Sequence, residues 1–183
     1  TRMVTSGYGP SVDIYDLATG QRAQQLTRPH SQHINISRFA CLTPTLLATS
    51  SFDRTVKMWD LRCSRAVYTC RSPRPFVMIS FSPTDLFLLT SAVDNTVTQH
   101  CVADGRPVCT LDMQRHMRDD VFTRAYYAND GSHIISGSSE EKCVRIHCAY
   151  SGAHAATIDV SQTSRSPEMY VQSLRPDPHG FMQ

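Results

Sequence analysis

One pattern recurs four times along the 183 residues of the chain: a strand of small and aliphatic residues, a tight polar turn, then a strand of alternating character. Met3-Val4-Thr5-Ser6-Gly7 leads to Val12-Asp13-Ile14-Tyr15-Asp16, and Leu47-Ala48-Thr49-Ser50-Ser51 leads to Val56-Lys57-Met58-Trp59-Asp60. Leu88-Leu89-Thr90-Ser91-Ala92 then leads to Val97-Thr98-Gln99-His100, and Ile134-Ile135-Ser136-Gly137-Ser138 to Val144-Arg145-Ile146-His147. The equivalent residues Val4, Ala48, Leu89 and Ile135 stand 44, 41 and 46 residues apart. That period accommodates four strands per unit and is too long for leucine-rich or ankyrin repeats.

Each unit continues in the same way. A turn (Ala18-Thr19-Gly20, Ala103-Asp104-Gly105, Ser151-Gly152) follows the alternating strand, and a further short strand comes next: 23–26, 66–69, 108–111 and 156–158. Another strand precedes the small-residue one, at 34–39, 76–81 and 121–127. Period-two alternation bounded by Gly, Pro, Asn and Asp is strand chemistry, and no stretch carries a helical period. The expected fold is all-β. Its blades span 1–29 (a partial unit without its opening strand), 30–70, 71–112 and 113–160. Residues 161–183 read as a polar linker followed by the first strand of a further blade, at 169–174.

On these residues the chain resembles the WD-repeat β-propeller family, most closely over 30–60. His30 precedes the strand that starts at Ile34, and Thr49, Asp53 and Trp59 fall where the family places a hydrogen-bonded tetrad. The resemblance implies that the Asp53 carboxylate orients His30, that His30 bonds the Thr49 hydroxyl, and that Thr49 meets the indole N–H of Trp59. A satisfied network of this kind rigidifies a blade. The other units are degenerate. Thr90 and Asp94 recur, but His100 stands where tryptophan would be; the fourth unit has Ser136, Glu140 or Glu141, and His147 or Ile146; the first has Tyr15. Fewer than the roughly seven blades common in such propellers are visible, so the expectation is an incomplete, open arc.

A narrower motif overlaps the best unit. Leu47 to Arg62 reads LATSSFDRTVKMWDLR, which looks like the WD box of substrate receptors of the cullin-4 ubiquitin ligase. By that resemblance the partner is the damaged-DNA-binding protein 1 adaptor, and the adaptor-binding residues are Arg62, Asp60, Trp59 and Asp53. A guanidinium on the turn after Trp59 suits bidentate recognition of a partner's acceptors, with Asp60 holding it in position. The candidate partner face on the other side of the blade comprises Phe52, Arg54, Arg71, Arg74 and Asn95. Arg54 replaces the glycine usual at its turn, and a cation there suits an acidic or phosphorylated peptide. The alternatives are a WD-repeat scaffold of another multiprotein complex and, as a minor reading, a propeller enzyme.

Charge and motif content weigh against other classes. Eighteen basic and sixteen acidic residues give a net charge of +2, too weak a field to argue for nucleic acid. No apolar run approaches the ~18 residues of a membrane-spanning helix. Seven cysteines, none in a C-x-x-C pair, fit a reducing, intracellular compartment, nuclear or cytoplasmic. His100-Cys101 and His147-Cys148 point their side chains to opposite strand faces, so no metal site and no cofactor are expected. Asn35-Ile36-Ser37 is a sequon without a secretory signal beside it. The sequence contains no G-x-S-x-G elbow and no glycine-rich phosphate loop. Glu140-Glu141 and Asp119-Asp120 read as solvated turns, so the expected role is non-enzymatic.

Overall fold

The computed structural model describes residues 1–63, 65–111, 113, 122–128, 130–139 and 141–160. The expected linker and strand at 161–183 lie outside these residues, as do Asp119, Asp120, Glu140 and Val121. Every regular element described is a strand. The first sheet holds β1 (Arg2–Thr5), β2 (Ser11–Asp16) and β3 (Arg22–Thr27). The second holds β4 (Ile34–Phe39), β5 (Leu46–Ser51), β6 (Thr55–Asp60) and β7 (Arg65–Arg71). The third comprises β8 (Phe76–Phe81), β9 (Phe87–Ala92), β10 (Val97–Cys101) and β11 (Pro107–Thr110). The fourth comprises β12 (Thr123–Tyr127), β13 (His133–Ser138), β14 (Cys143–Cys148) and β15 (His154–Asp159).

Within each sheet consecutive strands pair antiparallel, so each is an up-and-down meander. β8 packs beside β4 and β12 beside β8, which lines up the first strands of the three four-stranded sheets. Burial falls outward from there: β8 is almost wholly buried, whereas every residue of β15 is exposed. The cores lie between successive sheets. Val12, Ile14 and Leu26 meet Ile34, Leu47 and Trp59 across the first junction. Val56, Met58 and Cys70 meet Phe76, Ile79 and Leu88 across the second, and Leu89, Val97 and Leu111 meet Ala125, Tyr127 and Ile134 across the third. Apolar faces on both sides of a sheet therefore find partners only through the neighbouring sheet, which is the packing of propeller blades.

A register shift repeats at one place in every sheet, just before Tyr15, Trp59, His100 and His147. These four residues pair with Met3, Leu47, Leu88 and Ile134 of the preceding strand. His147, not Ile146, therefore holds the tryptophan position of the fourth blade. By the same register β1–β3 match the second to fourth strands of a blade.

The meanders divide the connections between two ends. Turns from first to second and from third to fourth strand, including 40–45 and 61–63, gather at one end with Arg62. Turns from second to third strand, including 52–54, and the sheet-to-sheet loops gather at the other with Arg54. At the Arg62 end the Asp85 carboxylate, in the β8–β9 turn, accepts the backbone N–H groups of Cys41, Leu42 and Thr43 at 2.6, 2.7 and 2.8 Å. That clasp ties the second blade to the third.

Candidate protein-docking site

The site is built on the second blade. His30 precedes β4, Thr49 lies on β5, Asp53 in the β5–β6 turn and Trp59 on β6, and the structure brings all four together. Thr49 Oγ1 accepts the Trp59 indole N–H at 2.9 Å and lies 2.7 Å from His30 Nε2. His30 Nδ1 faces Asp53 Oδ2 at 3.0 Å and Oδ1 at 3.2 Å. With Trp59 donating to it, the Thr49 hydroxyl is left to donate to Nε2, so Nδ1 carries the proton and donates to the carboxylate. Burial, opposed by the facing Asp53, keeps the His30 pKa below its ordinary value. The ring is thus neutral at pH 7, and its contact with Asp53 is a charge-assisted hydrogen bond rather than an ion pair. Burial pushes the Asp53 carboxyl up, but the hydroxyl of Thr55, the N–H of Ser31 and the facing His30 outweigh it and hold the carboxyl below its usual range.

Two members of this network carry no signal in the tetrad spacing. Thr55 Oγ1 donates to Asp53 Oδ1 at 2.6 Å and sits 2.9 Å from His30 Nδ1. Ser51 Oγ donates to the His33 carbonyl at 2.9 Å and accepts the Asp53 N–H at 3.0 Å. The Asp-x-Thr spacing of 53 and 55 is the sign that could have revealed the first, since an aspartate readily bonds the backbone two residues on.

Arg62 projects from the opposite end of the blade, with its side chain 72% exposed. Asp60 fixes it there. The guanidinium donates through Nε at 3.0 Å and Nη2 at 2.7 Å to the two carboxylate oxygens, and the Arg62 backbone N–H adds a bond at 2.9 Å. These contacts bring the Asp60 pKa down to about 2. Asp60 engages Nε and Nη2 of the guanidinium, while the side chain stays largely exposed. A shallow groove of about 190 Å3 beside it is lined by Arg2, Gln24, Thr45 and Leu61, and Gln24 Nε2 donates to the Leu61 carbonyl at 3.0 Å. Leu17, Leu42, Leu86 and Tyr150, all exposed, sit on turns of this same end.

The adaptor-binding set needs correction. Trp59 is buried in the junction of the first two blades, and Asp53 is buried in the tetrad at the far end of β6, so neither can touch a partner at the Arg62 end. Asp60 acts there through Arg62. The candidate partner face also loses a member. Asn95 is fully buried: its turn takes a φ of +65°, and its side-chain oxygen accepts the Thr123 hydroxyl of the next blade at 2.5 Å. Asparagine tolerates that left-handed conformation, which makes it a turn and junction residue rather than a surface one. Arg54 and Arg71 are exposed and Arg74 is half-buried at this end. Phe52 stacks on His33 at 4.2 Å between ring centres, and His33 in turn meets Tyr8 at 5.1 Å. Arg54 holds a φ of +66°, a strained conformation for a residue with a side chain. The carboxylate Glu141 pairs with Arg145 at 2.6 Å rather than standing in solvent.

Residues 24–60 match the family described as WD domain, G-beta repeat. The chain is 43% identical over 178 residues to Protein DWD HYPERSENSITIVE TO UV-B 1 of Arabidopsis thaliana, covering 96% of this chain and 23% of that protein. It is 35% identical over 75 residues to the Poly(A)+ RNA export protein of Schizosaccharomyces pombe, covering 40% of this chain and 21% of that protein. It is 26% identical over 145 residues to the U5 small nuclear ribonucleoprotein 40 kDa protein of Bos taurus, covering 72% of this chain and 39% of that protein. The chain thus spans less than a quarter of the length of the first two relatives.

Proposed function

This chain belongs to the WD-repeat β-propeller family, and on that premise we propose that it serves a substrate receptor that docks on the propeller adaptor of a cullin-4 type ubiquitin ligase. The observation that carries the reading is Arg62: exposed, held bidentately by Asp60, and placed at the end of a box that runs from Leu47 to Arg62. The relative whose name includes DWD aligns across nearly the whole chain, box included. Exposed Leu42 and Leu86 sit beside each other on the same end, because Asp85 bonds the Leu42 N–H and directly precedes Leu86. Arginine is among the residue types enriched in the few contacts that dominate a protein interface.

The role is that of a scaffold, with the ligase supplying the chemistry. The adaptor takes the Arg62 end, a substrate takes the Arg54 end, and proximity does the rest. Co-purification of the full-length protein with the adaptor, wild type against Arg62→Ala, tests this. Recovery of the adaptor falls at least tenfold with the variant while its melting temperature stays that of the wild type. Equal recovery from both would show that the box is not the docking site. No adaptor on the wild type would turn the reading to a scaffold of a different complex.

A further inference from the structure

The third blade repeats the tetrad frame of the second with one ring missing and another made smaller. Phe76 pairs with Ala92 as Ile34 pairs with Ser51, and Thr90 pairs with Thr98 as Thr49 pairs with Lys57. Ser72, four residues before Phe76, therefore takes the place that His30 takes four residues before Ile34. His100 takes the place of Trp59. A serine for a histidine and an imidazole for an indole remove volume from a junction whose strand register is otherwise the same. The space is there: a cleft of about 470 Å3, lined by Ser72, Thr90, Asp94, Thr96, His100 and, at its mouth, Arg71.

Its polar groups are set as in the second blade but have settled for lesser partners. Asp53 receives His30, Ser31, Thr55 and the Thr55 hydroxyl. Asp94 receives the Thr96 backbone N–H at 3.1 Å through Oδ1. Thr49 lies between indole and imidazole, whereas the Thr90 hydroxyl falls back on the Thr98 carbonyl at 3.2 Å. His100 stands 3.2 Å from Thr90 through Nε2 and is turned away through Nδ1, which donates to the Gly105 carbonyl at 3.1 Å. A carboxylate and a hydroxyl thus line an open cleft, at the register positions that hold an imidazole one blade earlier.

We propose that this cleft is a binding slot for an imidazole ring, delivered as a histidine side chain of a partner polypeptide. The ring N–H donates to Asp94, and the ring's other nitrogen accepts the single proton of the Thr90 hydroxyl, which thereby leaves both the Thr98 carbonyl and His100 Nε2. The Arg71 cation at the mouth selects the neutral ring over a protonated one and over a guanidinium. The slot is separate from Arg62, which lies at the other end of the blades, so the two proposals fail independently.

Imidazole itself is the probe, titrated into the protein at a pH where it is neutral and followed by thermal shift and by amide chemical shifts. The ring produces a saturable rise in melting temperature with millimolar affinity, and shifts centred on Thr90, Asp94 and Thr96. 1-Methylimidazole, which lacks the N–H, and methylguanidinium produce neither. Asp94→Ala and Thr90→Val abolish the response. Ser72→His supplies the ring from within: it raises the melting temperature without ligand and removes the response to imidazole. An unsaturable response, the same response to 1-methylimidazole, or a Ser72→His variant that folds yet still binds imidazole would each overturn the proposal.

Discussion

Thr49 is the pivot of the second blade. It is fully buried, and its single hydroxyl serves both the Trp59 indole and the His30 ring. Removing either partner strands an acceptor or donor away from water, which costs more than the hydrogen bond alone. Trp59→Phe keeps most of the ring's packing and loses the indole N–H, so it destabilises the protein by about 2 kcal/mol. Thr49→Val does at least as much, since both rings then lose their partner. The two changes act on one network, so the double variant falls short of the sum of the singles by about 1 kcal/mol. Urea midpoints of the four proteins measure this, and strict additivity would mean that the tetrad does not act as a unit. The spacing of His30, Thr49, Asp53 and Trp59 made this network legible in the sequence. Thr55 was not, because a threonine at a strand start is ordinary until Asp53 is seen to face it.

Strands and turns were legible for a different reason. Alternation and turn residues are local, so all fifteen described strands fall where the repeat places strands, with ends moved by a residue or two. What escaped is what crosses blades. Asn95 reads as an exposed turn residue until the next blade brings Thr123, 28 positions away, to its side chain. Asp85 carries no mark in the repeat pattern, yet its carboxylate holds a loop 42 to 44 positions earlier. That clasp matters to the docking end. It fixes 41–43, whose neighbour Thr45 accepts the Leu61 N–H at 2.9 Å, one residue before Arg62. Asp85→Ala releases three N–H groups at the surface, where water replaces the carboxylate in part, and lowers stability by about 2 kcal/mol. Amide exchange locates the effect: protection falls at 41–43 and at Leu61, across the blade junction, while β13 and β14 keep theirs. Loss confined to the β8–β9 turn would leave the clasp without a structural role.

Across the whole molecule, the buried histidines make the junctions between blades acid-sensitive. His30 lies where the first blade hands over to the second, and His100 beside the cleft between the second and third. Burial holds the pKa of both below the ordinary 6.5, against Asp53 in one case and the Gly105 carbonyl in the other. The unfolded chain therefore binds these protons at a higher pH than the folded one does. Stability is full above about pH 6.5 and declines as the pH falls from there toward the lowered folded values. Asp53, also lowered, adds a second loss below its ordinary 3.8. The expected profile is a urea midpoint that is flat from pH 8 to 7 and falls between pH 6.5 and 5, well above the carboxylate range. His100→Gln, which keeps a donor for the Gly105 carbonyl but cannot titrate, makes that first fall shallower and leaves the second in place. A midpoint unchanged between pH 7.5 and 5.5 would mean that the junctions accommodate the charged rings. Stability that rose on acidification would mean that His30 is protonated in the folded state and paired with Asp53 as an ion, the opposite of the neutral ring that its partners require.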